Sequence, residues 1–195
     1  MSRFILASKS PRRREILSGV GIEHEIIASD KEEIITKETP SDIVMELSKQ
    51  KALDVLSKVK EDVSYNIDED FIILAADTVV AIDGKILGKP RDRQDAYEMI
   101  QRIQGKTHSV FTGVTLIKKD IEEKIHTFYE ETVVEVYPIT HETIEKYLDK
   151  MDWTDKAGAY AIQGQFSAYV KRIEGDYYTV VGLPISRVIY ELSKF

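Results

Sequence analysis

Apolar and polar positions along the chain follow two periods, one typical of strands and one typical of helices. Continuous or alternating apolar residues predict strands over residues 4–7, 22–28, 71–76, 79–82, 85–87, 107–117, 124–137 and 177–181. Apolar residues spaced three and four apart predict helices over residues 11–18, 39–59, 93–104, 140–150 and 184–192. The mixture of the two kinds of element predicts an α/β protein.

Turn and cap residues set several of these boundaries. Asp83 and Gly84 are typical of a two-residue hairpin turn. Asp92 is suited to cap the helix that follows it, and Thr140 begins another helical pattern. The two longest strand patterns are separated by a short charged stretch, residues 118–123, which predicts a long hairpin with an acidic tip.

The composition limits the class of protein. With 195 residues, 43% of them hydrophobic, the chain is long enough for one domain or for two closely packed lobes. No run approaches the ~18 apolar residues of a membrane span, and the N-terminus has no long apolar leader, so we expect a cytoplasmic protein. The absence of cysteine excludes disulfides and thiol nucleophiles. A formal charge of −7 argues against a broad nucleic-acid surface.

An unusual charge pattern follows the first predicted strand. Ser10 is placed to cap a helix and Pro11 suits its first position. Three arginines, residues 12–14, then occupy a first turn that normally attracts acidic side chains. A cap hydroxyl, free backbone N–H groups and guanidinium groups at one place indicate a phosphate or carboxylate site. A solvated basic turn explains this stretch by itself equally well.

Two lysines are further candidates for binding an anion. Lys51 falls on the apolar stripe of its helix, four residues from both Leu47 and Val55. Its ammonium either extends past the core into water or reaches an interior anion. Lys89 lies between a glycine and a proline, where it suits a second cation, although an exposed loop lysine is the usual case.

Acidic residues in two places suggest a role in catalysis or metal binding. Asp77 follows an unbroken apolar run, where an ionised carboxylate is costly unless it is paired or bound to metal, and ligands of α/β sheets bind at strand ends. Glu32 and Glu33 belong to a polar turn that is either a solvated loop or part of a metal site. Several cations with carboxylates that can hold Mg²⁺ or Mn²⁺ are what phosphoryl chemistry requires.

Common nucleotide and hydrolase motifs are absent from the sequence. It contains no G-x-x-x-x-G-K-[ST] loop, no G-x-G-x-x-G fingerprint and no G-x-S-x-G nucleophile elbow. The four histidines are scattered without the spacing of metal ligands.

A series of short motifs resembles the Maf family of nucleoside triphosphate pyrophosphatases. In order along nearly the whole chain, they are LASKSPRR (6–13), ADTVV (76–80), GKP (88–90), TGV (112–114), DKAGAY (155–160), IQG (162–164) and VVGLP (180–184). The resemblance implies a single Maf-like domain over residues 1–195. That domain would be a two-lobed α/β mixed-sheet fold similar to inosine triphosphate pyrophosphatases, with the nucleotide in a cleft between the lobes.

The resemblance also implies an activity and roles for particular residues. The family hydrolyses a nucleoside triphosphate to the monophosphate and pyrophosphate with a divalent metal. By motif, Asp77 resembles the proton acceptor that activates water, and Glu33 falls where the family has an acidic residue linked to the metal, which Asp77 would also hold. The residues that resemble the phosphate-binding set are Ser8, Ser10, Arg12, Arg13, Lys51 and Lys89.

Three positions match the branch of the family that acts on dTTP and UTP, namely Arg12, Thr78 and Gln163. The chain departs from the usual pattern at Lys9, where a small residue is usual, and at Ala76 and Ala161, where glycine is usual. The two alanines stiffen the backbone beside the site, which bears on base preference.

These observations together predict a metal-dependent pyrophosphatase that removes non-standard or surplus pyrimidine nucleotides. A different class is a nucleotide-binding regulator, for instance of cell division, that senses nucleotide without turnover. A third is a phosphatase that releases orthophosphate. Asp77 favours an enzyme, because a sensor needs no base to activate water. The resemblance suggests a homodimer.

Overall fold

A computed structural model of the protein describes residues 3–62, 70–120, 122–151 and 153–195. The strands are β1 (Arg3–Leu6), β2 (Glu25–Ile26), β3 (Phe71–Ile82), β4 (Lys85–Leu87), β5 (Thr107–Lys119), β6 (Glu123–Val136) and β7 (Val170–Glu174). The α-helices are α1 (Pro11–Gly19), α2 (Pro40–Glu61), α3 (Arg93–Ile103), α4 (His141–Leu148), α5 (Tyr177–Val181) and α6 (Ile185–Leu192). Two short 3₁₀ helices span Ala157–Ala159 and Gly164–Tyr169.

The strands form a mixed sheet in the order β2-β1-β3-β5-β6-β7, with β4 paired to β3. The predicted α/β class is therefore confirmed. The chain forms two compact units. The first contains Met1–Asp77, Thr112–Tyr129 and Gly182–Phe195, and the second contains Thr78–Phe111 and Glu130–Val181.

The first unit is built on β1, which pairs in parallel with β2 and with β3. Ile5 lies opposite Ile73, and both side chains are fully buried. Their core continues into the apolar face of α2, whose Ala52 and Val55 are also fully buried. The apolar run of β3 therefore forms a strand buried on both faces, as its lack of alternation predicts.

The backbones of β5 and α2 approach so closely at Gly113 that no side chain fits there. A β-carbon on Gly113 would lie 2.3 Å from the carbonyl group of Val44. Beside this contact, the Ser48 and Thr115 hydroxyl groups share a buried hydrogen bond of 3.0 Å. Gly113 therefore fixes how deeply α2 sits on the first unit's strands.

The second unit has its own core, formed by α3, α4 and the aromatic residues that follow α4. Phe166 lies at its centre, with ring centroids 5.2 Å from Tyr147 and 4.8 Å from Tyr160. Asp92 and Thr140 cap α3 and α4 by accepting backbone N–H groups, as their positions in the sequence predict.

The predicted hairpins are also present. The turn between β3 and β4 places Asp83 and Gly84 at φ of 50° and 71°, a conformation that suits this residue pair. The longer hairpin is seen as the neighbouring strands β5 and β6. Its tip includes residue 121, which lies outside the described residues.

Two predicted strands are wrong. Only Glu25–Ile26 of residues 22–28 pairs as a strand. Residues 177–181 form helix α5, although Tyr, Thr and Val favour strands. Asp176 accepts hydrogen bonds from the backbone N–H and the hydroxyl of Thr179, at 2.7 Å and 3.0 Å, and so caps a helix. Local capping therefore outweighs strand propensity here.

Within the described ranges, no helix combines the length and apolarity needed to cross a membrane.

A buried histidine–tyrosine pair joins β5 to the loop after the first 3₁₀ helix. His108 Nε2 and the Tyr160 hydroxyl lie 2.6 Å apart, within hydrogen-bonding distance, and both residues are almost fully buried. Burial lowers the pKa of His108 from 6.5 to about 4 and raises the pKa of Tyr160 above its ordinary value. Both side chains are therefore neutral in the folded protein at neutral pH.

We expect His108 to make the fold less stable in mild acid. The unfolded chain binds a proton at His108 near its ordinary pKa of 6.5, whereas the folded protein does so only near pH 4, so the unfolding free energy falls as pH decreases through this window. The loss between pH 7 and pH 4 is about 3 kcal/mol. His108→Gln, which keeps an acceptor for Tyr160, should remove this loss in urea titrations. Parallel pH profiles for the two proteins would contradict it.

Candidate functional site

The stretch between β1 and α1 forms the first part of the site. No acidic residue lies in the first turn of α1, and Pro11 occupies its start. Ser10 is the residue before the helix, but its side chain makes no capping hydrogen bond, so its predicted capping role is wrong. Instead, Ser8 Oγ accepts the Ser10 N–H at 3.2 Å. The short side chain of Ser8 thus fixes the turn.

Arg13 is held in place at the start of α1 by two hydrogen bonds. Its Nη1 donates to Ser8 Oγ at 3.1 Å, and its Nε donates to the Gly182 carbonyl at 2.8 Å. Burial lowers the pKa of Arg13 from its ordinary value, while the carboxylates of Asp77 and Glu33 act in the opposite direction and the Arg12 cation adds to the lowering. A partly desolvated guanidinium that stays charged is a strong attractor for an anion.

Lys51 connects the two carboxylates of the site. Its Nζ lies 2.5 Å from Asp77 Oδ1 and 2.9 Å from Glu33 Oε1. The Lys51 side chain is 17% exposed and that of Asp77 is 13% exposed. The structure therefore decides between the two alternatives for Lys51: its ammonium reaches an interior anion and does not extend past the core into water. The ammonium offsets the cost of placing Asp77 where water scarcely reaches.

Asp77 does not end a strand, contrary to the prediction. It lies midway along β3, which runs for 12 residues to Ile82. The reason is that the β-branched residues after Asp77 continue the strand and pair with β4, Val80 opposite Leu87. The carboxylate is therefore carried by a rigid strand and not by a loop.

The residues present are suited to a divalent ion, although no metal cluster stands out. Among the described residues, no group of three or more His, Asp or Glu side chains is placed to hold a metal. Asp77 and Glu33 nevertheless both contact the Lys51 ammonium, so the two carboxylates are neighbours. Mg²⁺ commonly takes one or two carboxylates and completes its shell with phosphate oxygens and water. This pair of carboxylates fits that pattern.

The other predicted residues belong to the second unit. Thr78 follows Asp77 in β3 and is partly buried, while Lys89 and Gln163 are exposed. The Gly158 N–H donates to the Gly88 carbonyl at 3.0 Å, which links the GKP motif to the DKAGAY motif. The first unit thus brings together Ser8, Arg12, Arg13, Lys51, Asp77 and Glu33, and the second unit carries Thr78, Lys89 and Gln163.

Two structural partners of these residues were not predicted from the sequence. One is the Gly182 carbonyl, which receives Arg13; the VVGLP motif was the available signal. The other is a row of polar side chains on α2 at four-residue spacing, which contacts the segment that carries Glu33. Regular spacing of Glu46, Gln50 and Asp54 was a signal for that row.

An α/β protein with basic side chains at a bare helix N-terminus, and a lysine between two carboxylates, is of a class suited to bind phosphate groups. The chain belongs to the Maf family, because the family model described as Maf-like protein matches residues 3–195.

Two relatives match over the full length of the chain. A protein of Agathobacter rectalis named dTTP/UTP pyrophosphatase is 48% identical over 203 residues, covering 100% of this chain and 98% of its own. A protein of Bacillus thuringiensis subsp. konkukian with the same name is 50% identical over 196 residues, covering 100% of this chain and 96% of its own.

Among solved structures, the chain is similar to a nucleoside-triphosphatase, or dITP/XTP pyrophosphatase, from Mycobacterium abscessus. The identity is 10%, the TM-score is 0.41, and the match covers 98% of this chain and 93% of that one.

We expect Lys51 and Asp77 to be coupled in stability. Lys51→Met leaves the Asp77 carboxylate without its ammonium and should lower the unfolding free energy by about 1–3 kcal/mol. In the double variant with Asp77→Asn, the loss should be smaller than the sum of the single losses by about 1 kcal/mol in urea titrations.

Lys49→Met is the matched control, because Lys49 is exposed on the same helix. It should change the unfolding free energy by less than about 0.5 kcal/mol. Strictly additive losses for Lys51 and Asp77 would show that their ion pair contributes nothing to the fold.

Proposed function

We propose that this protein hydrolyses dTTP and UTP to the monophosphate and pyrophosphate. The observation that carries the proposal is the 48–50% identity, over the whole chain, to proteins named dTTP/UTP pyrophosphatase. The geometry around Asp77 supports it. The Asp77 carboxylate, the cations of Lys51 and Arg13 and the N-terminus of α1 are the kinds of group that hydrolysis of a phosphoanhydride requires.

In this proposal Asp77 is the base that activates water. The Asp77 carboxylate accepts a proton from a water molecule as the water oxygen forms a bond to the α-phosphorus. The bond from the α-phosphorus to the oxygen shared with the β-phosphorus breaks, and its electron pair leaves with pyrophosphate. Because β3 is rigid and Lys51 holds one carboxylate oxygen, the position of the base is set before substrate arrives.

The cations of the site stabilise the leaving group. Arg13 and Arg12 lie at the start of α1, where the helix N-terminus adds its own partial positive charge. Lys51 is already paired with carboxylates and can move part of its interaction to a phosphate oxygen. We include Ser8, Ser10 and Lys89 in the phosphate-binding set, on the basis of the family resemblance.

The proposal also includes a divalent ion, Mg²⁺ or Mn²⁺, as a cofactor. Glu33 and Asp77 would hold the ion, and when bound it supplies charge neutralisation for the phosphate oxygens. We assign the choice of base to Thr78, Gln163 and Arg12. The proposal also includes a cytoplasmic homodimer without a nucleic-acid surface, for which the support is the family resemblance and the net charge of −7.

A substrate panel tests the function directly. The protein is mixed with dTTP, UTP, CTP, dGTP and methylated nucleotides, with Mg²⁺ or Mn²⁺, and the products are separated. We expect pyrophosphate and the monophosphate from dTTP and UTP. Release of orthophosphate would identify a phosphatase instead, and tight nucleotide binding without any product would identify a sensor.

Asp77→Asn should abolish turnover while the fold is retained, because the side chain keeps its shape and loses its proton acceptor. We expect kcat to fall by at least about 10²-fold. Binding of a dTTP analogue with a methylene group between the α- and β-phosphorus should be retained at saturating Mn²⁺, measured by calorimetry, because the cations of the site are intact.

Asp83→Asn is the control, since Asp83 lies in an exposed turn where asparagine adopts the same backbone conformation. It should keep full activity. Near-normal activity of the Asp77 variant would remove Asp77 from the mechanism.

A further inference from the structure

The segment that carries Glu33 lacks regular secondary structure, yet it is bonded along one side of α2. We call residues 28–36 the strap. Besides Lys51, which contacts Glu33, four side chains of α2 contact it. These four are spaced four residues apart, which places them on one face of the helix. They are Glu46, Gln50, Asp54 and Lys58. Their order along α2 is opposite to the order of their partners along the strap.

The C-terminal half of the strap is held by Gln50 and Glu46. The Gln50 amide accepts the Ile34 N–H at 3.0 Å and donates to the Ile34 carbonyl at 2.6 Å. The Glu46 carboxylate accepts the backbone N–H of Thr36 at 2.9 Å and its hydroxyl at 2.5 Å. The hydroxyl of Thr36 lowers the pKa of Glu46 from its ordinary value, so the bonded form is the ionised one.

The N-terminal half is held by Asp54 and Lys58. Asp54 is 3% exposed and accepts the Asp30 N–H at 3.2 Å. Burial would raise the pKa of Asp54, but hydrogen bonds from Ser29 and the Asp30 N–H outweigh burial, and the pKa is lowered. Lys58 donates to the Ala28 carbonyl at 2.7 Å and to the Asp30 carboxylate at 2.8 Å.

Hydrophobic packing does not account for the order of the strap beside Glu33. The two apolar side chains next to Glu33, Ile34 and Ile35, are 63% and 57% exposed. Fixing a segment costs conformational entropy, and burial of apolar surface normally offsets that cost. Here the offset must come from the polar contacts with α2.

One turn of α2 contacts both the side chain of Glu33 and the backbone of the residue after it. Gln50 binds the backbone of Ile34, which directly follows Glu33. The next helix residue, Lys51, binds the Glu33 carboxylate and Asp77. The strap therefore has a fixed register against α2, and the register determines which strap residue faces Lys51.

We propose that Gln50 is a positioning residue, which places the Glu33 carboxylate beside Asp77 so that the two together hold a divalent ion. The inference rests on the proposed function only for the role of that ion. The Gln50 amide forms its hydrogen bonds with the Ile34 backbone, so Gln50 acts on Glu33 through the strap backbone. Groups that orient the ligands of a metal commonly change its affinity by tenfold or more.

The test compares Gln50→Leu with Gln94→Leu. Leucine removes both amide hydrogen bonds and keeps helix propensity. Gln94 is an exposed glutamine of α3 whose side chain donates to Glu98, so it provides the same substitution far from the strap in sequence. Mn²⁺ is titrated into each variant in the presence of the methylene analogue of dTTP, so no turnover is involved, and free Mn²⁺ is followed by electron paramagnetic resonance.

We expect Gln50→Leu to raise the half-saturating Mn²⁺ concentration about tenfold, and Gln94→Leu to leave it unchanged. At saturating Mn²⁺, kcat for Gln50→Leu should return to within about twofold of the wild-type value, because the reacting groups are intact. The backbone amide of Ile34 should exchange its hydrogen faster in Gln50→Leu. An unchanged Mn²⁺ titration, or a loss of kcat that Mn²⁺ does not restore, overturns the proposal.

Two further outcomes must be distinguished: a Gln50 variant that does not fold, and a failure of the proposed function. If Gln50→Leu does not fold, Gln50→Met takes its place, because methionine also removes both amide hydrogen bonds and keeps helix propensity; it should raise the half-saturating Mn²⁺ concentration about tenfold, and no rise in that variant overturns the proposal. If the wild-type protein releases no pyrophosphate from any nucleotide, the proposed function falls, while the Mn²⁺ titration still decides the role of Gln50.

Discussion

The ion pair between Lys51 and Asp77 is the interaction on which the site depends. A carboxylate on a strand as apolar as β3 is costly in free energy unless a charge of opposite sign meets it. Lys51 supplies that charge from the buried face of α2, and Glu33 shares it from the strap. The same ammonium therefore makes Asp77 tolerable in the fold and brings a second carboxylate to it.

This interaction requires α2 to lie at a fixed depth on the first unit. The close approach at Gly113, where a side chain would meet the Val44 backbone, sets that depth. The hydrogen bond between Ser48 and Thr115 fixes α2 along the same strand. A lysine has a long, flexible stem, so its head reaches a defined carboxylate only when the helix beneath it cannot shift. Packing around Gly113 is thus a condition for the ion pair between Lys51 and Asp77.

The elements that depend on neighbouring residues could be predicted from the sequence. Caps at Asp92 and Thr140 and the hairpin turn at Asp83 are local, because each is satisfied within a few residues. The prediction failed where a local rule competed with another, as in α5, where the Asp176 cap outweighed strand propensity. The break at Asp77 was mispredicted because β3 runs through it and joins the two predicted strands, 71–76 and 79–82, into one. A charged side chain is compatible with the strand there because Lys51, which is distant in sequence, pairs with it.

The sequence by itself determined the family and the α/β class, since these follow from motifs and periodicity, and the family motifs supplied the residues of the candidate site as predictions. Only the tertiary structure decided the direction of Lys51, because both an exposed and an interior ammonium are compatible with its place on the stripe. The same holds for the strap, whose register against Gln50 joins residues 16 positions apart. Contacts between distant residues depend on how helices and strands pack, and periodicity within one element carries no information about that packing.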